Sequence, residues 1–318
     1  MIEACRENET DVLLIAGDLF HRQPLLRELK EVNFLFSGIP HTEVFIIAGN
    51  HDYLKKDSYY RTFSWAENVH MIRSEQITCV EVPRLDLAVY GLSYVQKENT
   101  ERAYDRAVPF GKQKYEILLG HGGDDKHIPF RAGDIAKLGY DYAAFGHIHK
   151  PQQLIPDRVY YSGALEPTDK NDTGAHGYIS GELTESGCTA SFVPCAAREY
   201  IHMDIPVTEN MTGYGVRGAI RSAVEDKGVQ NIYKIILTGQ RDPEILFDLT
   251  NMDSYGNIIE IADNTRPAYD FERLYEQNKG NLLGKFIQNL NTGDKESIEY
   301  CALCEGVQAL METRRGFK

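Results

Sequence analysis

Four short clusters hold most of the side chains able to bind a metal ion. They are Asp18 in DVLLIAGDLFHR (11–22), Asn50, His51 and Asp52 in EVFIIAGNHDY (43–53), His121 in YEILLGHGG (115–123), and His147 and His149 in YDYAAFGHIHK (140–150). They lie far apart along the chain, so only folding can bring them together. Mixed carboxylate, amide-oxygen and imidazole donors suit Mn²⁺, Fe²⁺ or Zn²⁺ better than an all-oxygen Mg²⁺ or Ca²⁺ cage. One carboxylate can bridge two cations, and a His-x-His pair can send its rings to different ones. Two cations about 3.5–4 Å apart can hold a hydroxide nucleophile, neutralise a phosphate and stabilise in-line displacement.

Each cluster follows an apolar, partly β-branched run that reads as a buried strand, and a glycine lets the chain turn at its end. Helices predicted over 24–36 and 58–67 alternate with these strands, an α/β pattern that places ligands at carboxyl strand ends. Further strands are predicted at 87–94, 158–162, 177–183 and 189–194, as a second sheet packed on the first. From about residue 198 the pattern becomes a small β-α-β-α-β unit, with a short helix near 244–250. In the tail, Leu282, Leu283, Phe286, Ile287 and Leu290 recur at helical spacing, NTGDK (291–295) breaks the pattern, and a second helix is predicted over 296–312. The expected domains are 1–197, 198–270 and 271–318.

GD, GNHD, GH and GHIH, in this order, resemble the calcineurin-like metallophosphoesterase superfamily. Singly they are weak signals; four in order, each after a strand-like run, are specific. The fuller strings LLIAGDLFHR, IIAGNHDY, LLGHGG and DYAAFGHIHK, with YYSGALEP (160–167) and DTGAHGY (172–178), resemble SbcD-type DNA repair nucleases, including YhaO-like members. The resemblance covers roughly residues 11–200. It implies a four-layer αββα metallophosphoesterase sandwich, a small α/β capping domain and a helical C-terminal tail. It implies two divalent ions, taken as Mn²⁺, with Asp18 bridging both, Asn50, His121 and His147 completing the second site, and His149 in the first. His51 would contact the phosphate and protonate the leaving oxygen, Asp52 would orient the His51 ring, and His21 would sit near the scissile phosphate. It further implies DNA ends or hairpins as substrate, an SbcC-type coiled-coil ATPase as partner, and a homodimer.

One departure stands out. The family opens with a strand carrying Asp-x-His, whose two residues are ligands of the first metal. No Asp-x-His occurs upstream of Asp18, so the first strand is expected to be missing, with about 40 residues absent. That leaves the first metal with Asp18 and His149.

Composition narrows the classes. Hydrophobic residues make up 42% and charged residues 25%, a globular balance that excludes a largely disordered chain. No apolar run approaches the roughly 18 residues of a spanning helix, so no membrane association is expected. The acidic start MIEACRENETD lacks the apolar core of a secretory signal. Six cysteines are too few for a disulfide scaffold, and a reducing cytoplasm is expected. The net charge of −13 counts against bulk nucleic-acid binding but not against a cation-charged cleft.

Plainer readings stand beside these. A histidine in a turn after a strand is ordinarily just polar, and only the ordered set outweighs that reading. His21 is as readily an exposed histidine as a catalytic one. His41, His70, His127, His176 and His202 lack such motifs and are taken as surface or structural. Cys301-x-x-Cys304 has no second pair and fits an apolar helix stripe with Ile298 and Val307 better than a zinc site. The 282–290 stripe is either internal packing or a partner surface. The leading functional reading is metal-dependent phosphodiester hydrolysis of DNA, with His51 as general acid. The alternatives are another metallophosphoesterase (a small-molecule phosphodiesterase or a phosphatase) and a non-catalytic binding module or fragment with an incomplete first site.

Overall fold

The computed structural model describes residues 1–290, 294 and 297–315, and divides into two units, Met1–Glu199 and Tyr200–Lys318. In the first unit α1 (Ile2–Glu7) precedes β1 (Val12–Ala16), α2 (Leu26–Ser37), β2 (Glu43–Ile47) and β3 (Val69–Met71). The strands pair in parallel in the order β1-β2-β3. Next come β4 (Thr78–Val82), β5 (Leu87–Gly91), β6 (Tyr115–His121), α3 (Ala132–Lys137), β7 (Tyr142–Gly146), β8 (Gln152–Ile155) and β9 (Val159–Tyr161). These strands form a second sheet in the order β4-β5-β6-β7-β9-β8, parallel from β5 to β9 with an antiparallel strand at each margin.

Side-chain alternation builds the layers, because successive residues of a strand face opposite sides. On β2, Phe45 and Ile47 meet Val89, Ile117, Leu119 and Ala144 of the second sheet in a shared core. Val44 and Ile46 point the other way, onto Phe36 of α2 and Cys5 of α1. On the far sheet Tyr90, Leu118, Ala143 and Phe145 face outward under Tyr104 and Ile135 of α3. The result is helix, sheet, sheet, helix: the αββα sandwich. Each fully buried aliphatic or aromatic side chain in these layers contributes about 1.5–3 kcal/mol.

Three expectations are corrected. The predicted helix over 58–67 is only a 3₁₀ turn, Tyr59–Arg61. Arg73 donates to the carbonyls of Tyr60 and Phe63, where helical N–H groups would have to bond, and Tyr60, Phe63 and Trp65 pack into an aromatic cluster instead. The helix near 244–250 shrinks to a 3₁₀ turn at Leu249–Asn251, nucleated by Asp248, whose carboxylate accepts from the Thr250 N–H. The strands at 177–183 and 189–194 are β10 (Gly177–Thr184) and β11 (Gly187–Pro194), an antiparallel hairpin of their own rather than members of the second sheet.

The second unit has a parallel sheet of β12 (Tyr200–Val207), β13 (Ile232–Arg241) and β14 (Ile258–Asp263), with β15 (Arg266–Pro267) beside β13. Helix α4 (Gly213–Lys227) starts where the Thr212 hydroxyl accepts from the Gly215 N–H. Its Val216, Ile220 and Val224, at four-residue spacing, pack on Ile205, Ile235 and Leu237. Helices α5 (Phe271–Asn278), α6 (Leu282–Leu290) and α7 (Ile298–Arg315) share another core of Phe271, Leu283, Ile287, Tyr300, Leu303, Cys304 and Val307. The tail stripe is thus mostly internal packing, and Cys304 belongs to it. The expected break at 291–295 lies, apart from Asp294, outside the described residues. No helix among the described residues is long and apolar enough to cross a membrane.

Candidate metal centre

The four motifs are divided between the sheets. Asp18 follows β1 and Asn50 follows β2, whereas His121 ends β6 and His147 follows β7. Parallel pairing brings all four carboxyl ends to one edge of the sandwich. Two glycines permit the close approach. A β-carbon on Gly49 would collide with the Asp18 carboxylate, and one on Gly146 with the Ala16 carbonyl. Asp18 (φ 51°) and His147 (φ 96°) occupy the left-handed region, which costs a non-glycine residue about 1–3 kcal/mol and is characteristic of functional sites.

The donors converge. Asn50 Oδ1 lies 2.9 Å from His121 Nε2 and 3.1 Å from His147 Nδ1. His121 Nε2 lies 3.3 Å from Asp18 Oδ2. Asp18, His121 and His147 form a group that could hold an ion. His121 Nδ1 is 2.7 Å from the Ala16 carbonyl, an obligate acceptor, so that nitrogen carries the ring proton in the neutral imidazole. Its Nε2 lone pair then faces two oxygen acceptors, an arrangement that repels unless a cation lies between them. Donors about 2.1 Å from a common ion and at right angles would sit about 3 Å apart, which matches the observed separations. The residues present therefore fit a divalent cation at Asp18, Asn50, His121 and His147.

Tyrosines fix the backbone behind this cluster. Tyr104 donates to the His121 carbonyl and accepts from its N–H, Tyr94 donates to the same carbonyl, and Tyr161 donates to the Gly122 carbonyl. Burial pushes all three phenols up, so they remain protonated donors. Although burial alone would raise the Asp18 carboxyl, hydrogen bonding and charge from His121, with the His51 N–H, lower it and keep it anionic.

His51 and His21 stack with ring centroids 4.5 Å apart. Burial lowers the His51 pKa against the pull of Asp18. Asp52, expected to orient the His51 ring, takes another part. It is fully buried and accepts from the Gly49 and Phe20 N–H groups and from the Tyr60 hydroxyl, tying the 49–52 loop to the turn after β1. His149 stands apart from the four converging donors, with Nδ1 2.9 Å from Asp172 Oδ2.

Two residues at the site escaped the sequence reading. Asp124 Oδ2 lies 2.7 Å from His147 Nε2, and Asp124 Oδ1 lies 2.8 Å from Nδ1 of His127, a residue the sequence marks as surface or structural. The only signal was the polar string HGGDDKH (121–127) behind the His121 motif.

The two-sheet αββα sandwich thus brings carboxylate, amide and imidazole donors together at its strand ends. Residues 1–151 match the family model of the calcineurin-like phosphoesterases. Over 273 residues the chain is 31% identical to the uncharacterized metallophosphoesterase YhaO of Bacillus subtilis (strain 168), an alignment that takes in 78% of this chain and 64% of that protein. The chain thus spans less than two thirds of that relative's length.

Proposed function

We propose that this protein is a metal-dependent phosphodiesterase acting on DNA ends or hairpins, the nuclease subunit of an SbcCD-like complex. Phosphoester hydrolysis in general follows from the family match and the donor set. The observation that carries the reading is the convergence of Asp18, Asn50, His121 and His147 at one edge of the sandwich. Divalent ions bound there, taken as two Mn²⁺, would supply Lewis-acid charge to a phosphodiester and lower the pKa of a water. Asp18 and Asn50 hold the anionic and neutral oxygens of that cluster, and His121 and His147 its nitrogens. His51, beside the cluster and stacked on His21, is the group to donate a proton to the leaving oxygen. The DNA part of the reading is supported by the motif strings shared with SbcD-type nucleases and by an α/β unit and helices following the phosphoesterase unit.

Helices α5–α7 are assigned as the docking element for a coiled-coil ATPase, supported by the exposed Leu282 and Ile298. Homodimerisation and a cytoplasmic location belong to the same reading. A small-molecule phosphodiesterase is the second reading, favoured by the net charge of −13. A substrate panel with Mn²⁺ tests both: linear duplex, hairpin DNA, bis-p-nitrophenyl phosphate and p-nitrophenyl phosphate. Degradation of DNA supports the nuclease. Rapid turnover of the small esters with DNA left intact overturns it in favour of the second reading.

A further inference from the structure

Both histidines of the His147-Ile148-His149 motif are gripped by carboxylates from other loops, and they are gripped on opposite nitrogens. His147 meets Asp124 through Nε2 at 2.7 Å, whereas His149 meets Asp172 through Nδ1 at 2.9 Å. We propose that Asp124 and Asp172 are positioning residues that lock His147 and His149 in opposite tautomers, so that His147 offers Nδ1 and His149 offers Nε2 to metal ions. This rests on the metallophosphoesterase reading and extends it to residues outside the donor motifs.

The chemistry is direct. An ionised carboxylate only accepts hydrogen bonds, so the imidazole nitrogen facing it must carry the proton and the other nitrogen keeps its lone pair. Both carboxyls are set as acceptors by backbone N–H groups, those of Lys126 and His127 for Asp124 and that of Thr168 for Asp172. For His147 the freed Nδ1 is the nitrogen 3.1 Å from Asn50 Oδ1, inside the donor cluster.

Each carboxylate is itself fixed before it meets its histidine. Asp124 accepts from the N–H groups of Lys126 and His127 and from the His127 ring, closing a tight turn. Asp172 accepts from both the N–H and the hydroxyl of Thr168. A ring held by a pre-positioned anion loses little further freedom on ligation, and removing such a partner typically weakens metal affinity about 10–100-fold.

Nitrogen-15 NMR of the histidine rings in the metal-free 318-residue chain at pH 8 tests this, followed by Zn²⁺ titration and calorimetry on Asp124→Ala, Asp124→Asn and Asp172→Ala. His147 should show a protonated Nε2 and His149 a protonated Nδ1, and Zn²⁺ should shift the His147 Nδ1 resonance. Asp124→Ala should release His147 into a tautomer mixture and weaken Zn²⁺ binding about 10–100-fold. Asp124→Asn, whose amide oxygen still accepts, should restore the tautomer and most of the affinity. Asp172→Ala should change His149 alone. Unchanged tautomers and affinity in the alanine variants would overturn the proposal. So would Zn²⁺ captured at His147 Nε2 by the Asp124–His127–His147 group. Failure of the metallophosphoesterase reading looks different: wild-type protein with the assigned tautomers that takes up neither Zn²⁺ nor Mn²⁺.

Discussion

Replacing Tyr60 with Phe removes one oxygen and leaves the ring in its core of Leu29, Ala48 and Leu54. The oxygen matters because it donates, at 2.9 Å, to the fully buried Asp52. Burial, together with the Asp18 charge, pushes the Asp52 carboxyl up from 3.8 to about 6, while the Gly49 N–H and the Tyr60 hydroxyl hold it down. A carboxyl raised on folding contributes stability that is fully present below its unfolded pKa and is lost as the pH rises through its folded pKa. Here the window runs from about 4 to about 6, and at 1.36 kcal/mol per pKa unit the loss has an upper bound of about 3 kcal/mol. The Tyr60 bond opposes that loss. It contributes about 1.5–3 kcal/mol when Asp52 is charged and about 0.5–1.5 kcal/mol when it is neutral. Tyr60→Phe should therefore destabilise the first unit by about 2 kcal/mol at pH 8 and about 1 kcal/mol at pH 5. Trp65, the chain's single tryptophan, lies 6.3 Å from the Tyr60 ring and reports on this unit. Its fluorescence, followed through urea unfolding of metal-free protein at both pH values, gives the two differences. Equal losses at the two pH values, or no loss at pH 8, would refute a charged Asp52 held by Tyr60.

Four further substitutions separate the parts of the site and of the loop behind it. Gly49→Ala drives a methyl group into the Asp18 carboxylate, and should weaken Mn²⁺ binding at least tenfold by calorimetry while circular dichroism stays unchanged. His51→Ala should leave metal uptake intact and cut hydrolysis about 10²–10⁴-fold, whereas His121→Ala should abolish both; retained hydrolysis in His51→Ala would remove it as proton donor. Arg73→Ala strips the donors from the Tyr60 and Phe63 carbonyls, and should cost about 1–3 kcal/mol and speed amide exchange across 59–65.

The strand-end motifs were legible because strand, glycine and metal-binding side chain are all local features. Val12–Ala16, Glu43–Ile47, Tyr115–His121 and Tyr142–Gly146 are strands where the apolar runs placed them. The segment 58–67 was misread because its backbone carbonyls are satisfied by Arg73, a long-range donor that no local pattern reveals. Asp52 shows the same limit. The family resemblance implies that it orients the His51 ring, yet its oxygens are taken by Phe20, Gly49 and Tyr60. Asp124 and Asp172 carry no spacing signal either, because their partners His147 and His149 come from another loop.

The division of the donors between two sheets explains two of the glycines that precede Asp18, Asn50, His121 and His147, and close neighbours within one sheet explain the other two. Across the sheets, Gly17 leaves no room for a side chain beside the His121 ring and Gly146 none beside the Ala16 carbonyl; within a sheet, Gly49 leaves none beside Asp18 and Gly120 none beside Phe145. Side chains at these positions would push the strand ends apart, and ligand atoms drawn from different sheets cannot follow one another when their strands separate. A site within one sheet would tolerate some of that displacement, since its ligands would move with a common hydrogen-bonded ladder. Here Asn50 Oδ1 touches His121 and His147 only across the gap between sheets. The packing of Phe45 and Ile47 against Ile117, Leu119 and Ala144 therefore sets the donor spacing as directly as the donors do, and core variants at those positions should lose metal affinity before they lose the fold.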